Sequence, residues 1–166
     1  MNCPVCGSFN LEGSDECDNC GADLRGADLP SAHGALEARL LEERLADLDP
    51  ARPLAIAPDE PVSTAVARMQ EARSGCLTVE LSGRLVGILT ERDLVQKLAG
   101  GSLSGVLVRD VMTPDPVVLR HDDTIAVAIN KMAVGGFRHI PLVRHGRVTG
   151  IVSARDLSHH LVSLLG

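Results

Sequence analysis

Four cysteines near the start of the chain have the spacing of a metal site. Cys3 and Cys6 form one C-x-x-C pair, and Cys17 and Cys20 form a second pair ten residues later. Two such pairs supply the four thiolates that tetrahedral zinc prefers, and they leave no open position for catalysis at the metal. The spacing therefore predicts a structural zinc ion, with a redox pair of cysteines or an iron site as the alternatives.

A second set of candidate residues occurs in two similar phrases, GILTERDL at 87–94 and GIVSARDL at 150–157. Each phrase has a hydroxyl residue, Thr90 or Ser153, and an aspartate, Asp93 or Asp156, three positions later. At the start of a helix this spacing suits a capping box. It also suits a ligand, because a carboxylate accepts two ribose hydroxyls while a hydroxyl and free helix-start amides suit a phosphate. The two interpretations are compatible.

The two phrases belong to a longer internal repeat. An offset of 63 residues aligns the halves without a gap, matching Met69 with Met132 and Leu77 with Ile140. A gapless register of this kind indicates an internal duplication. Two copies are too few for a solenoid, so we expect two similar units in a pseudo-twofold pair that bury a shared face.

Each half contains the elements needed to position these residues, in the order strand, helix, strand, strand, helix. The predicted extended pieces are 53–58 and 116–121, and the predicted first helices are about 60–72 and 123–134, beginning at Asp59-Glu60 and Asp122-Asp123. The predicted strands are CLTVEL and RLVGIL in the first half and HIPLVR and RVTGIV in the second. A last helix follows Thr90 or Ser153, so the fold class is α+β.

This order and these phrases resemble the cystathionine-β-synthase (CBS) domain family, whose tandem pairs form Bateman modules. The resemblance covers about residues 50–166 and includes VRDVMTPDPVVL at 108–119 and HIPLV at 139–143. It implies two tandem βαββα repeats, at 51–110 and 111–166. Residues 1–24 resemble short zinc ribbons, although Glu16 stands where an aromatic residue is common. About 24 residues cannot bury a core, so we expect the metal to be required for folding of the ribbon.

The CBS resemblance also implies roles for individual residues. It implies that four residues bind the ribose and the phosphate of an adenine nucleotide: Thr90, Asp93, Ser153 and Asp156. It implies that Ile140 and Pro141 enclose the adenine, and Arg138 and His139, which precede them, are candidates for neutralising phosphate. The first half has Thr78 where the second has Pro141, so the two sites need not bind equally.

Residues 25–50 are predicted to connect the ribbon to the repeats. A loop is expected at 25–35, followed by a helix over 36–48 that Asp49-Pro50 ends. Five leucines give that helix one apolar face: Leu36, Leu40, Leu41, Leu45 and Leu48. We expect this face to pack on the main domain, and a dimer or partner helix is the alternative.

Composition and charge argue against several function classes. The net charge is −6, and residues 1–50 carry 11 acidic and 3 basic side chains while the remainder is mildly basic. With no Trp, no Tyr and two Phe, the chain has few stacking residues, and this scarcity and the acidic N-terminal part argue against nonspecific nucleic-acid binding. Nucleic-acid binding through the ribbon is a third hypothesis, which the acidic surroundings of the ribbon disfavour. No apolar stretch approaches the length of a membrane helix, and MNCPVCG lacks the features of a secretory signal, so the cytoplasm is the expected location.

The pattern as a whole predicts a regulatory protein. No catalytic motif is present, so we expect no enzyme activity. The leading hypothesis is a sensor of AMP, ADP or ATP that forms a homodimer through its CBS pairs and docks a protein partner through the zinc ribbon. The alternative is a dimerisation or interaction scaffold that works without a ligand.

Overall fold

The computed structural model describes residues 2–10, 14–25, 35–98, 101 and 104–165. The chain divides into two compact units. The first comprises Met1–Asp49, Asp122–Arg138 and Ser153–Gly166, and the second comprises Pro50–His121 and His139–Val152. Most of the predicted loop at 25–35 lies outside the described residues. Nowhere in the described ranges is a helix long and apolar enough to cross a membrane.

The second unit contains a four-stranded sheet that combines three strands of the first repeat with one short strand from the start of the second. Its elements are β1 (Ala55–Ile56), α2 (Val62–Ala72), β2 (Cys76–Leu81), β3 (Arg84–Thr90), α3 (Glu91–Leu98), α4 (Val108–Val111) and β4 (Thr113–Pro114). The sheet order is β1-β2-β3-β4. β1 pairs with β2 in parallel, and the other pairs are antiparallel.

The core of this unit forms because helix and strand periodicities converge on it. Val62, Ala65 and Met69 recur at helical spacing on α2, and all three are buried. They belong to one apolar cluster with Leu77 of β2 and Leu89 of β3, which face each other across the ladder. Burying a valine, leucine or methionine side chain fully stabilises the fold by about 1.5–3 kcal/mol relative to leaving it exposed.

The second repeat supplies α5 (Ile125–Gly135), β5 (His139–Arg144), β6 (Arg147–Ser153) and α6 (Ala154–Leu165). β5 and β6 form a two-stranded sheet, and its turn residues His145 and Gly146 have positive φ, as Ser82 and Gly83 do between β2 and β3. The predicted order of helices and strands is therefore confirmed, with one exception. The extended piece at 116–121 forms only an isolated bridge between Leu119 and Leu142 instead of a strand.

A proline in the second repeat explains the missing strand. In the first repeat the amide of Thr78 donates to the Leu54 carbonyl at 2.9 Å, which helps to hold β1 beside β2. The matching residue of the second repeat is Pro141, which has no amide hydrogen. The Pro141 carbonyl still accepts from the Leu119 amide at 3.1 Å, so a single bridge survives.

The prediction of one helix over 36–48 is wrong. α1 (Ala35–Glu42) ends early, and a separate 3₁₀ turn covers Leu45–Leu48. Arg44 between them is extended and bridges Thr124, while the amide of the fully buried Leu45 donates to the Asp123 carbonyl at 2.9 Å. α1 packs on α5 and the 3₁₀ turn contacts α6, so the leucine-rich segment packs within its own unit, as the first interpretation expected.

The first helix of each repeat begins later than predicted. α2 begins at Val62 after Pro61, and α5 begins at Ile125 after Thr124. A residue before proline is disfavoured in the helical region, which excludes Glu60 from α2. In the second repeat the Thr124 hydroxyl caps the helix by accepting from the Val127 amide at 3.4 Å, so this neutral side chain caps α5 in place of the expected Asp122-Asp123.

Candidate functional site

The four N-terminal cysteines converge on one point in the first unit. All four sulfur atoms lie within 4.8 Å of one another. The Cys3 and Cys20 sulfurs are 3.8 Å apart, and the Cys6 and Cys17 sulfurs are 3.6 Å apart. A tetrahedral site with metal–sulfur bonds of about 2.3 Å has sulfur–sulfur edges of about 3.8 Å. The spacing therefore fits a four-thiolate metal centre, and it is far too long for disulfides.

Two copies of one backbone loop produce this arrangement. The Gly7 amide donates to the Cys3 carbonyl and the Gly21 amide to the Cys17 carbonyl, each at 2.8 Å. Both glycines have positive φ, a conformation that other residues adopt with difficulty. The sharp turn lets the Val5 amide donate to the Cys3 sulfur at 3.4 Å.

Asn10 supports the cluster, and the spacing of the cysteines did not reveal it. Its side chain is 2% exposed. The Asn10 amide nitrogen donates to the Cys17 sulfur at 3.5 Å and to the Ser8 carbonyl at 2.9 Å, and its oxygen accepts from the Asp18 amide at 3.0 Å. Asn10 therefore ties the two loops together and points a donor at one sulfur.

The thiols of the cluster differ in acidity because they share hydrogen bonds. Hydrogen bonds from Ser8, followed by those from Asn19 and Cys20, lower the pKa of Cys6 to about 5. The Ala22 amide acts to lower the pKa of Cys20, but its neighbouring thiols and burial together raise it to about 12. Four negative sulfurs at this spacing repel each other, so a bound cation is the group that allows all of them to ionise.

In the first repeat the predicted hydroxyl–aspartate pair forms a capping box at the junction of β3 and α3. Asp93 Oδ2 accepts from the Thr90 hydroxyl at 2.6 Å and from the Thr90 amide at 2.9 Å. The second oxygen, Oδ1, accepts from the Thr113 hydroxyl at 2.8 Å and lies 3.2 Å from Lys97 Nζ. Both carboxylate oxygens are therefore engaged by the chain itself.

These contacts set the ionisation of Asp93, which is 8% exposed. Burial alone raises the pKa of the carboxyl, but hydrogen bonds from Thr90, Thr113 and Lys97 outweigh it and hold the pKa below its ordinary value. The sequence does not identify Thr113 or Lys97 as partners of Asp93. Thr113 lies in residues 108–119, called the connector below, whose motif indicates only the opening of the second repeat.

In the second repeat the same capping box forms with fewer partners. Asp156 Oδ2 accepts from the Ser153 hydroxyl at 2.7 Å and from the Ser153 amide at 2.8 Å. In the part of the chain that the structure describes, Asp156 Oδ1 accepts no hydrogen bond. The offset of 63 residues places Pro50 at the position of Thr113 and His160 at that of Lys97. Proline has no hydroxyl, and His160 instead pairs with Glu43 at 2.5 Å.

The remaining predicted site residues lie along β5 or just before it. Ile140 and Pro141 are buried and do not form part of the open surface. Arg138 is exposed, and its carbonyl accepts from the Ala154 amide at 2.9 Å. The His139 ring lies beside Gly75, since a Cβ built on that glycine would be 3.3 Å from His139 Nε2. The structure thus brings together each hydroxyl with its aspartate.

Two glycines of the repeated phrases allow the connecting segments to approach closely. A Cβ on Gly87 would lie 2.6 Å from Met112 Sδ and 3.0 Å from the Thr113 carbonyl oxygen. A Cβ on Gly150 would lie 3.0 Å from the Pro50 Cβ. Pro50 and Thr113 are equivalent under the 63-residue offset, so each glycine makes room for the segment that opens the other repeat.

Comparison with known proteins assigns these repeats. The CBS domain family model matches residues 45–100 and 108–163. A CBS domain-containing protein of Arabidopsis thaliana, CBSCBSPB3, is 31% identical over 113 residues, which are 66% of this chain and 20% of that protein. An uncharacterized 17.7 kDa protein of Acidianus ambivalens is 33% identical over 111 residues, 66% of this chain and 67% of that protein. The chain spans only about a fifth of the length of the plant relative.

Solved structures share the fold. The crystal structure of a CBS-domain-containing protein from Agrobacterium tumefaciens is 32% identical, has a TM-score of 0.65, and covers 70% of this chain and 94% of its own. CBSX2 in complex with AMP is 24% identical, with a TM-score of 0.63 and coverage of 75% and 99%.

A CBS domain pair in complex with 5′-methylthioadenosine and S-adenosyl-L-methionine is 22% identical, with a TM-score of 0.67 and coverage of 73% and 97%. At their identities, this pair and CBSX2 show the fold alone. The doubled family match, the relatives and the shared α+β fold together establish that the chain belongs to the CBS domain family and contains a tandem pair of these regulatory domains.

Proposed function

We propose that this protein is a non-enzymatic regulator that binds an adenine nucleotide, AMP, ADP or ATP, at the second-repeat pair Ser153 and Asp156. The observation that carries the proposal is the uncommitted oxygen of Asp156. Its Oδ2 is held by Ser153, which fixes the carboxylate orientation and leaves Oδ1 to accept a ribose hydroxyl. Membership of the CBS family and the adenosine-containing ligands of two structural neighbours support the choice of ligand class.

The first-repeat pair Thr90 and Asp93 is proposed as a weaker site. A ribose hydroxyl would have to displace Thr113 or Lys97 from Asp93, at the cost of a charge-assisted hydrogen bond. We retain His139 and Arg138 as candidates for phosphate contacts, and Ile140 and Pro141 as candidates for the wall beside the adenine.

Isothermal titration calorimetry with AMP, ADP and ATP tests this function. We expect Asp156→Ala to reduce the affinity at least tenfold and Asp93→Ala to change it less. Ser158→Ala is a matched control, because Ser158 lies on α6 and bonds only to the Ala154 carbonyl in the described structure. Absence of heat from all three nucleotides with the unmodified protein would overturn the proposal.

We propose that Cys3, Cys6, Cys17 and Cys20 hold a structural zinc ion in a ribbon comprising residues 1–24. Zinc would supply positive charge that balances the thiolates and holds the two cysteine loops together. We further assign 25–50 to a linker with its helix, and 51–110 and 111–166 to the CBS repeats. Elemental analysis of the purified protein should give one zinc per chain, and Cys17→Ser should lose it. A metal-free protein with unchanged folding of the ribbon would contradict this assignment.

We propose that the ribbon docks a protein partner and that the CBS pairs form a homodimer. Val5 and Phe9 are about three-quarters exposed on the ribbon, which provides an apolar contact surface. Val95 and Val162, each 70% exposed, lie on the last helix of each repeat. These valines also favour the second candidate function, a scaffold that dimerises without a ligand. Light scattering with and without AMP separates the two: dimers that form equally well in both conditions, together with no nucleotide binding, would favour the scaffold.

A further inference from the structure

A groove in the second unit lies between the two hairpin turns and the connector. It is open to solvent and has a volume of about 680 Å³, within the range of roughly 300–1,000 Å³ that is typical of small-molecule sites. The first turn contributes Arg84, the second contributes His145 and Arg147, and the connector contributes Asp115 and Val118. The groove is therefore large enough for a compact metabolite and is lined mainly by basic and small residues.

This groove is separate from the first-repeat aspartate site. Arg84 is the first residue of β3 and Thr90 is the last. Six residues of extended chain span about 20 Å. The groove therefore lies at the opposite end of the strand from the Thr90–Asp93 capping box, and a small ligand cannot contact both places.

The two arginines of the groove are matched by the internal repeat, and neither pairs with another residue in the part of the chain that the structure describes. Arg84 and Arg147 are related by the offset of 63 residues, and each begins the second strand of its hairpin. Both side chains are exposed, and among the described residues neither guanidinium forms an ion pair or hydrogen bond. Asp115 is the one acidic residue in the lining. Their free donors therefore remain available to an anion.

We propose that this groove binds a small metabolite with two phosphate groups, and that Arg84 and Arg147 each donate to one of them. Guanidinium presents paired donors that match two oxygens of a phosphate. The ring of His145 supplies an additional donor. Val118 and Val143 supply apolar surface for the uncharged part of the ligand.

Titration calorimetry with inorganic pyrophosphate at about 0.15 M salt tests the groove, because surface pairing alone is weakened under these conditions. We expect Arg84→Gln and Arg147→Gln each to weaken binding about tenfold and the double variant to remove it. Arg144→Gln is the matched control, since Arg144 ends β5 close in sequence to the second turn but does not line the groove. No heat with the unmodified protein, or an equal loss with Arg144→Gln, would overturn the proposal.

A second arm separates this site from the proposed nucleotide site. We expect Asp156→Ala and saturating AMP to leave pyrophosphate binding unchanged. Loss of pyrophosphate binding in Asp156→Ala would assign the anion to the nucleotide site and would overturn the proposal that the groove binds it. Retained pyrophosphate binding with no AMP binding by the unmodified protein would instead contradict the proposed nucleotide function alone. Circular dichroism melts verify that the arginine variants remain folded.

Discussion

Thr113 donates its hydroxyl to Asp93 Oδ1 at 2.8 Å, across 20 residues of sequence. This hydrogen bond connects the segment between the repeats to the capping aspartate of the first repeat. With Lys97 it engages the oxygen that remains uncommitted in Asp156. One hydroxyl and one ammonium group therefore distinguish two sites that the repeated phrases make nearly identical.

Removing the Thr113 hydroxyl should make Asp93 Oδ1 more available to a ligand in the first repeat. We expect Thr113→Val, which is close in shape, to lower the free energy of unfolding by about 1.5–3 kcal/mol, because a hydrogen bond to a charged acceptor is lost. We also expect AMP titration to change from one site per chain toward two. Thr149→Val is the control, since Thr149 bonds to His121 and the Leu142 carbonyl rather than to Asp93. Unchanged stoichiometry would contradict the masking role of Thr113.

The charge of Asp93 should stabilise the fold in a pH-dependent manner. Because the pKa of the folded carboxyl lies below its ordinary value, its contribution is present above about pH 4 and is lost as pH falls toward the folded pKa. The stability difference between the unmodified protein and Asp93→Asn should therefore be larger at pH 7 than at pH 3. Urea unfolding followed by circular dichroism measures it, since the chain has no Trp or Tyr. A constant difference at both pH values would show that the carboxylate charge is not involved.

Asn10 should strengthen metal binding without contacting the metal. Its donor to the Cys17 sulfur and its acceptor for the Asp18 amide hold the second cysteine loop in place. Losing such a partner of a ligand typically costs 10–100-fold in metal affinity. We expect Asn10→Ala to show a loss of this size in zinc competition with a chromophoric chelator. Asn2→Ala is the control because Asn2 is exposed, and equal affinities of the two variants would exclude the role.

The repeat made most of the fold predictable from sequence, because apolar alternation and two-residue turns are local signals. β2, β3, β5 and β6 follow the predicted strands closely. The errors arose where distant partners decide the conformation. The leucine periodicity could not reveal that Arg44 bridges Thr124, and it therefore predicted a helix through that residue.

The candidate sites show the same division between local and distant information. The cysteine spacing and the hydroxyl–aspartate spacing are local signals. In the structure the four cysteines lie close to one another, and each hydroxyl lies close to its own aspartate. Thr113 is 20 residues from Asp93, and nothing in the connector motif identifies its hydroxyl as a partner of that carboxylate. Aligning Thr113 with Pro50 would have exposed the difference between the repeats, but only after the contact itself was known.

The Gly87→Ala variant tests whether the close approach of the connector to β3 maintains the hydrogen bond between Thr113 and Asp93. A Cβ at this position would meet the Thr113 carbonyl oxygen at 3.0 Å, and this backbone atom cannot move without shifting β4. We expect Gly87→Ala to lower the free energy of unfolding by about 1–3 kcal/mol, as overpacking does. It should also displace Thr113 from Asp93 and so reproduce the added AMP site of Thr113→Val. Gly101→Ala is the control, because its nearest neighbour would be at an ordinary 3.7 Å. If Gly87→Ala loses stability but gains no site, Thr113 follows Asp93 when β4 moves, and the bond between them is more adaptable than the packing of the strand.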